Sequence, residues 1–217
     1  RTVASEFVEI RARVSGYLQQ IHFADGALVE AGEVLFTIDP KPYEAEVDRA
    51  KGEVSQLEAR VDRLTKDFDR TKRLFETKSA SQEAFDQVAG DLAEARAGLA
   101  AAKASLQRSE LDLGYTRVTS PINGRVSKHE VSQGNLITGG TTGQGTLLTT
   151  VVSVDPMYVY VDASEQRVLK YQALALEGKR KSARDGTKVP MFIGLGNEKG
   201  TPHQGYIDFV DNRLDPD

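Results

Sequence analysis

Residues 43–113 read YEAEVDRAKGEVSQLEARVDRLTKDFDRTKRLFETKSASQEAFDQVAGDLAEARAGLAAAKASLQRSELDL, and this segment establishes most of the architecture. Gaps of four and three residues alternate between its apolar or small residues: Tyr43, Val47, Ala50, Val54, Leu57, Val61, Leu64, Phe68, Thr71 and Phe75, then Phe85, Val88, Leu92, Ala95, Leu99, Ala102, Leu106, Ser109 and Leu113. A repeat of this kind keeps one stripe of a helix facing a partner, as in a coiled coil. Neither series contains a proline. The pattern therefore predicts two long helices.

The two series fit together as one folded-back pair. If the chain turns near residue 80, facing residues have numbers that sum to 159 or 160, so that Phe75 faces Phe85 and Leu57 faces Ala102. Several layers then set a large residue against a small one, which allows close packing without strain. We expect an antiparallel coiled-coil hairpin over residues 42–114. An intermolecular zipper built from the same heptads is the alternative.

The segments on either side of the hairpin repeat each other. Residues 14–18 read VSGYL and residues 122–126 read INGRV, and in both copies further glycines follow at offsets of 10 and then 6 residues. The repeated glycines are Gly16, Gly26, Gly32, Gly124, Gly134 and Gly140. Glycine at such positions indicates turns with positive φ or a close approach of two backbones. We expect a quasi-symmetric β sandwich whose halves, residues 11–41 and 115–152, are separated by the hairpin.

The last third of the chain predicts a different β domain. Two β-rich runs lie between residues 147 and 161, a short helix capped by Ser164 covers residues 165–176, and further strands are expected near 189–195 and 205–210. We expect residues 153–217 to form an incomplete β-barrel with one short helix, whose first strand begins within residues 1–10. The predicted fold class is therefore multidomain α+β, and we expect a membrane-proximal domain and an N-terminal anchor to lie outside this sequence.

These features resemble a known family. The paired half-motifs are similar to those of biotinyl- and lipoyl-carrier domains. Arranged around a long hairpin, they resemble the membrane fusion proteins, which are the periplasmic adaptors of tripartite efflux pumps. Two junction stretches are close to sequences of that family, in particular of its AcrA and MexA branch: LFTIDPKPY at residues 35–43 and YTRVTSPINGRV at residues 115–126.

The resemblance implies a subunit that catalyses no reaction and needs no cofactor. It would lie in the periplasm, anchored to the inner membrane through an N-terminal segment absent from this chain. It would link a proton-driven inner-membrane transporter of the resistance-nodulation-division (RND) class to a TolC-like outer-membrane channel. Several copies, expected to be six, would form a ring. An adaptor of a type I secretion system or ABC exporter is the nearest alternative.

The predicted bend carries the candidate site, where residues 70–86 read RTKRLFETKSASQEAFD. Adaptors that meet a TolC-like channel share an Arg, a Leu four residues later, a Ser seven after that and an Asp five further on; Arg70, Leu74, Ser81 and Asp86 match each step. The coiled coil does not require Arg70 or Leu74, because both lie outside its seam. The resemblance implies that they contact the channel. Ser81 and Asp86 are equally well interpreted as a helix cap and a first-turn negative charge.

Composition excludes several other function classes. The chain has 28 basic and 32 acidic residues and a net charge of −4, so it lacks the basic excess of a nucleic-acid binder. It has no cysteine, which excludes thiolate metal sites and thiol catalysis. Its three histidines, His22, His129 and His203, are too dispersed to predict a metal site or a catalytic triad.

Three local features have ordinary interpretations. Residues 139–145 superficially resemble a phosphate loop, but no Lys and helix follow, so we interpret them as a flexible loop between strands. The basic residues at 179–181 and 184 are interpreted as a solvated loop. In a lipoyl or biotinyl carrier subunit, which is the alternative from another class, Lys41 would be the modified lysine. It stands between two prolines and outside any Met-Lys-Met motif, so we interpret it as a solvated residue at the start of the first helix.

Overall fold

The computed structural model describes residues 2–140, 144–161, 163–179, 188–194 and 198–210. Its strands are β1 (Thr2–Ala4), β2 (Phe7–Arg11), β3 (Gly16–Ile21), β4 (Leu28–Val29), β5 (Val34–Ile38), β6 (Arg117–Thr119), β7 (Gly124–Val126), β8 (Leu136–Ile137), β9 (Leu147–Val152), β10 (Met157–Val159), β11 (Val189–Ile193) and β12 (His203–Ile207). Its helices are α1 (Lys41–Glu76), α2 (Gln82–Gly114) and α3 (Glu165–Leu176). The chain forms two compact units, which divide after Tyr158.

Strands β2–β9 of the larger unit form two four-stranded antiparallel sheets, which we call the β sandwich. Their strand orders are β2-β9-β7-β4 and β6-β5-β3-β8. If each strand is replaced by its counterpart from the other half, so that β2 and β6, β3 and β7, β4 and β8, and β5 and β9 change places, the first order becomes the second. The repeated glycines of the sequence therefore correspond to a repeated strand order in the structure.

Each sheet contains strands from both halves of the sequence repeat. In one sheet Tyr17 is paired with Leu136, and in the other Arg125 is paired with Leu28. The hydrogen bonds match as well, since the Leu18 amide donates to the Asn135 carbonyl and the Val126 amide to the Ala27 carbonyl, both at 2.9 Å. Because neither half completes a sheet alone, the two halves share one folded core.

The core of the β sandwich draws residues from both sheets, and β5 contributes two consecutive buried residues to it, Leu35 and Phe36. Phe36 is fully buried, and its ring meets the ring of Phe23 edge to face at 5.2 Å. The buried apolar residues come from both halves: Ile10, Ala12, Val14, Leu18, Val29, Leu35, Phe36, Ile38, Val126, Ile137, Leu148 and Val151.

The two predicted long helices are confirmed, and we refer to α1, α2 and the bend between them as the hairpin. The buried seam residues are Val47, Ala50, Val54, Leu64, Leu92, Ala95, Ala102 and Ser109, and the remaining predicted seam residues are partly buried. The Phe75 and Phe85 rings stack at 5.2 Å beside the bend, as the predicted register requires. Farther down, Lys103 Nζ lies 2.9 Å from Glu58 Oε1. These contacts pair the helices in antiparallel order.

The base of the hairpin is tied to the β sandwich by short polar contacts. The Tyr43 hydroxyl donates to the Ser15 carbonyl at 2.6 Å, and the Ile38 amide donates to the Thr116 carbonyl at 2.8 Å. Pro42 lies in the first turn of α1, where a fixed φ favours helix initiation. The helices therefore leave the sandwich through an anchored junction.

The smaller unit contains α3 and an antiparallel pair, β11 with β12. The predicted helix has the expected bounds. Ser164 lies at the N-cap position before it, but its side chain makes no capping hydrogen bond; its carbonyl accepts from the Arg167 amide at 2.9 Å instead. The predicted final strand is shifted, since β12 ends at Ile207. Residue 195, which we expected to end β11, lies outside the described residues, as do 180–187 of the predicted basic loop.

Candidate functional site

The bend between α1 and α2 is closed by a compact C-terminal capping motif. The Ser79 amide donates to the Leu74 carbonyl at 2.7 Å, and the Lys78 amide donates to the Phe75 carbonyl at 2.9 Å. Lys78 has a φ of 57°, in the left-handed region. This combination is a Schellman motif, in which glycine usually takes the left-handed position. The bend is therefore specified by backbone hydrogen bonds and not by a glycine that the sequence reasoning could have recognised.

Leu74 is left uncovered by this motif. In a Schellman motif, the residue that follows the left-handed position is often apolar and packs on the residue five positions before it, which here is Leu74. The residue that follows the left-handed position here is Ser79, and Leu74 remains 45% exposed. Its neighbour Phe75 provides the seam contact with Phe85. The structure thus places an apolar side chain at the end of α1 that the hairpin does not use.

Arg70 lies one helical turn before Leu74. Its guanidinium forms an ion pair with Asp67, and 67% of the Arg70 side chain is exposed. An exposed pair at this spacing contributes a few tenths of a kcal/mol at most, so Arg70 can exchange Asp67 for another acceptor at little cost. A planar fork of donors beside an uncovered leucine is suited to contact a protein surface.

Ser81 and Asp86 begin the second helix. The Ser81 hydroxyl accepts a hydrogen bond from the Ala84 amide at 3.2 Å, which is an N-cap contact. Asp86 Oδ1 accepts from Gln82 Nε2 at 2.9 Å. Both residues are exposed. These contacts give both residues a local structural role, whereas Arg70 and Leu74 have none in the seam.

A shallow depression on the outer side of α2 was missed by the sequence reasoning. It is lined by Gln82, Glu83, Asp86, Gln87, Gly90 and Asp91, and we call it the acidic depression. Gly90 contributes no side chain to this lining, whereas Glu83, Asp86 and Asp91 contribute three carboxylates. A glycine inside a strongly helical, acidic segment is the signal that could have predicted it.

The repeated glycines fall into two groups. Gly26, Gly32 and Gly134 have φ values of 78°, 89° and 87°. At the other three positions a Cβ atom would meet neighbouring atoms: Ile38 Cγ2 at 2.8 Å from Gly16, the Val152 carbonyl oxygen at Gly124, and the Gly145 amide nitrogen at 2.6 Å from Gly140. Gly32 and Gly140 therefore occupy corresponding positions for different physical reasons.

Asp25 and His129 join the two halves of the β sandwich at its surface. Asp25 Oδ1 accepts from the His129 amide at 3.1 Å and lies 2.9 Å from His129 Nδ1. The hydrogen bond from the His129 side chain lowers the pKa of the Asp25 carboxyl below its ordinary value of 3.8. In the described part of the chain no three His, Cys, Asp or Glu side chains come together in an arrangement suited to a metal ion.

Lys41 is the exposed first residue of α1, and its amide donates to Asp39 Oδ1 at 3.2 Å. This position in a helix does not favour the carrier alternative. Of the loop expected at residues 139–145, residues 141–143 lie outside the described residues. Among the helices the structure describes, none combines the length and apolar character needed to cross a bilayer.

Comparison with protein families gives a match that covers most of the chain. The model of the RND MFP barrel-sandwich hybrid domain, in which MFP denotes membrane fusion protein, matches residues 6–150. The chain belongs to the RND membrane fusion protein family. The matched range includes the entire hairpin and all of the β sandwich except the last two residues of β9.

Curated relatives of this membrane fusion protein have names that describe efflux. The efflux pump periplasmic linker BepD of Brucella suis is 38% identical over 208 residues, which are 96% of this chain and 52% of BepD. The multidrug efflux pump subunit AcrA of Escherichia coli strain K12 is 34% identical over 215 residues, covering 99% of this chain and 53% of AcrA. The chain therefore spans about half the length of the curated relatives it matches.

Solved structures support the fold of the family member. A MacA-MexA chimeric protein that contains the Pseudomonas aeruginosa MexA α-hairpin domain superposes with a TM-score of 0.63 at 24% identity, over 98% of this chain and 66% of the chimera. MacA from Actinobacillus actinomycetemcomitans gives 0.56 at 20% identity, over 98% and 65%. At these identities the likeness shows the fold alone.

Proposed function

We propose that this membrane fusion protein is the periplasmic adaptor of a multidrug efflux pump. It links an inner-membrane RND transporter to a TolC-like outer-membrane channel, and it docks on the channel through the tip of the hairpin. The names of the relatives BepD and AcrA, a periplasmic linker and a multidrug efflux pump subunit, support the role. The observation that carries it is the pair Arg70 and Leu74, exposed at the end of a helix whose packing uses neither.

The hairpin provides the reach that such a role needs. Helices α1 and α2 have 36 and 33 residues. At about 1.5 Å per residue each extends roughly 50 Å. The seam and the anchored base hold the tip in position, so a contact at the tip need not order a loop first.

Docking then draws on two unused side chains. Burial of the exposed part of Leu74 supplies a hydrophobic contribution of at most about 2 kcal/mol. Arg70 exchanges Asp67 for carbonyl or carboxylate groups of the channel. Several such tips, arranged in a ring of copies that we expect to be hexameric, would multiply this modest contribution. Exported compounds would pass through the ring, which requires no catalytic or cofactor site in this chain.

Two substitutions at the tip test the proposal, each made in the complete protein in cells that carry the pump. Leu74→Ser and Arg70→Asp are each expected to abolish drug export, because each removes a docking contact. Far-UV circular dichroism and Tm should remain almost unchanged, because neither residue belongs to the seam. Full drug resistance in either variant would refute docking through the tip.

The chain offers matched controls for both changes. Leu111 is 51% exposed near the base of α2, so Leu111→Ser removes a similar apolar surface far from the tip. Arg49 pairs with Glu46 three residues away and is 63% exposed, which reproduces the setting of Arg70. Leu111→Ser and Arg49→Asp should therefore retain export. Because these 217 residues contain no cysteine, Leu74→Cys introduces a single thiol into this part of the protein, which permits direct cross-linking to the channel in intact cells.

A further inference from the structure

The acidic depression on α2 lies on the side of the hairpin that faces away from the seam. In a heptad repeat, residues seven apart share one face, and those midway between seam positions point outward. On α2 this outward row contains Glu83 and Gly90, and on α1 it contains Lys66 and Arg73. All four residues are exposed. The hairpin therefore presents two outward rows of different chemistry near its tip, and on the α1 row Lys66 is already paired with Asp62 at 2.6 Å.

The α2 face is negative and lacks cations of its own. Residues 82–95 contain four carboxylates and no Lys or Arg. In the described part of the chain, Glu83, Asp86 and Asp91 form no ion pair. Asp86 and Asp91 accept instead from the side-chain amides of Gln82 and Gln87, each at 2.9 Å. The charge of this face is uncompensated within the hairpin.

Gly90 gives the depression its shape at a cost to the helix. Nothing lies within 4 Å of the point where a Cβ would stand, so no contact inside this chain requires glycine there. Glycine in a helix interior is about 1 kcal/mol less favourable than alanine. A side chain of another molecule that packs over Gly90 would explain why glycine is present at this position.

The α1 face has a cation suited to that space. Arg73 is exposed, its Nε donates to the Asp69 carbonyl at 3.2 Å, and it forms no ion pair with any described residue. In the hairpin register, facing numbers sum to 159 or 160, so Arg73 lies level with residues 86–87. Four residues at helix positions i, i+3, i+4 and i+7 frame the hole for a side chain of a facing helix. Here they are Glu83, Asp86, Gln87 and Gly90.

We propose that Arg73 of one copy seats in the acidic depression of the next copy, so that α1 of each hairpin packs beside α2 of its neighbour. This inference rests on the proposed ring of adaptors. If the copies are related by rotation about an axis parallel to the hairpins, residues at the same level along neighbouring hairpins face each other. In that arrangement Arg73 of one copy lies at the level of the acidic depression of the next. The contact joins two different faces head to tail, and such contacts form a ring when the rotation from one copy to the next closes on itself.

The positive charge of Arg73 and the negative charge of the acidic depression favour a second copy of this chain as the occupant. Each copy supplies both the cation and the acidic depression. In a closed head-to-tail ring, the Arg73 of a neighbouring copy therefore compensates the acidic depression of every copy. If the channel occupied the depression instead, the channel would have to supply the cations. The charge-reversal experiment distinguishes these two occupants.

Cross-linking between two populations of the complete protein tests the contact. Lys66 lies level with Ala93 in the register, and both are exposed. One population carries Lys66→Cys and the other, with a different tag, carries Ala93→Cys. In cells that carry the pump, mild oxidation should join the two. The matched control is Lys72→Cys, also an exposed lysine of α1 but outside the outward row, which should give little product with Ala93→Cys.

Charge reversal then identifies Arg73. Arg73→Glu in both populations, or Glu83→Arg in both, places like charges together and should reduce the cross-link about tenfold. If Arg73→Glu is placed in one population and Glu83→Arg in the other, every contact between unlike copies is again attractive, and cross-linking should recover. Recovery on mixing cannot arise from a pairing within one chain or from a channel cation. The inference would be overturned if cross-linking did not recover in the mixed pair, or if it stayed complete when Arg73→Glu alone or Glu83→Arg alone is present in both populations.

The proposed function is read out separately through the Leu74→Cys cross-link to the channel. If that cross-link forms while residues 66 and 93 never join, the adaptor role stands and the contact between copies is wrong. If neither cross-link forms, the adaptor role itself fails.

Discussion

The β sandwich and the hairpin are stabilised in different ways. In the sandwich, Leu35, Phe36 and Ile38 have no measurable exposure, because strands from both halves enclose them. In the hairpin, the large seam residues Leu64 and Leu92 retain 8% and 4%. Each helix there buries one stripe against a single partner. The sandwich therefore provides a closed core, while the hairpin leaves most of its side chains available for recognition.

The same contrast appears in the glycines of the two regions. At Gly124 in the sandwich a Cβ would overlap the Val152 carbonyl oxygen, whereas at Gly52 in α1 it would meet nothing within 4 Å. Tight packing explains the first glycine. The second lies on an exposed face, where only partners outside the chain could use the space. Contacts within the chain thus require the glycine of the sandwich, and no contact within the chain requires the glycine of the hairpin.

The largest expected effect separates the two cores. Phe36→Ala should lower the free energy of unfolding by about 3–5 kcal/mol, because the cavity is enclosed on all sides. Leu64→Ala, in the seam, should cost about 2–3 kcal/mol, since its surroundings can relax toward solvent. Urea unfolding followed by tyrosine fluorescence and by far-UV circular dichroism measures both. Equal costs would contradict the contrast between a closed core and an open seam.

The next pair of substitutions should have opposite signs. Gly124→Ala forces the β7 and β9 backbones apart, and we expect it to destabilise the protein by about 1–3 kcal/mol. Gly52→Ala adds a methyl group to an open helix face and should stabilise the hairpin by about 0.5–1 kcal/mol. Thermal unfolding of the two variants beside the wild type gives the comparison. A destabilised Gly52→Ala would show that this face is already occupied within the chain.

The sequence predicted the long helices well because heptad spacing is local information. The repeated glycine offsets also indicated two related halves. They could not show that β3 pairs with β8 and β4 with β7, because pairing across the hairpin depends on contacts remote in sequence. The barrel expected over residues 153–217 stays a prediction, since the described strands there are β10, which pairs with β1, and the separate pair β11 and β12.

At the candidate site, the sequence could place Arg70 and Leu74 outside the seam, and both are exposed. Their contact with a channel stays a prediction. The Schellman motif at Lys78 could not be foreseen, because its usual glycine is missing. The acidic depression depends on which side of α2 remains unpacked, which only the hairpin geometry reveals. Local spacing thus predicted the side chains, and tertiary packing determined the surfaces they form.

A smaller effect is expected at the turns. The sandwich uses glycine at positive φ, as at Gly134, whereas the bend of the hairpin uses Lys78 at 57°. Because a side chain in the left-handed region costs roughly 1 kcal/mol, Lys78→Gly should raise stability by about that amount. Gly134→Ala should lower it similarly. Urea midpoints would measure both changes, and a neutral Lys78→Gly would indicate that the bend tolerates lysine without strain.

The smallest expected effect on stability concerns two surface pairings, one between the halves of the sandwich and one within a helix. Asp25 is held by His129 from the other half, whereas Glu46 pairs with Arg49 one turn away; both pairings lower the pKa of the carboxyl. A lowered folded-state pKa stabilises the protein above the ordinary value, which is 3.8 for Asp25, and this stabilisation disappears as pH falls through the lowered value.

Asp25→Asn should therefore unfold at lower urea than the wild type at pH 6, and the difference should vanish toward pH 2, where the wild-type carboxyl is also neutral. Glu46→Gln is the matched change in α1 and should follow the same pH course. Tyrosine fluorescence should detect the Asp25→Asn shift, because the bond crosses the sandwich halves, whereas the Glu46→Gln shift should be confined to the helical signal. A pH-independent difference for Asp25→Asn would mean that the asparagine disturbs packing, and that ionisation of Asp25 does not help to join the two halves.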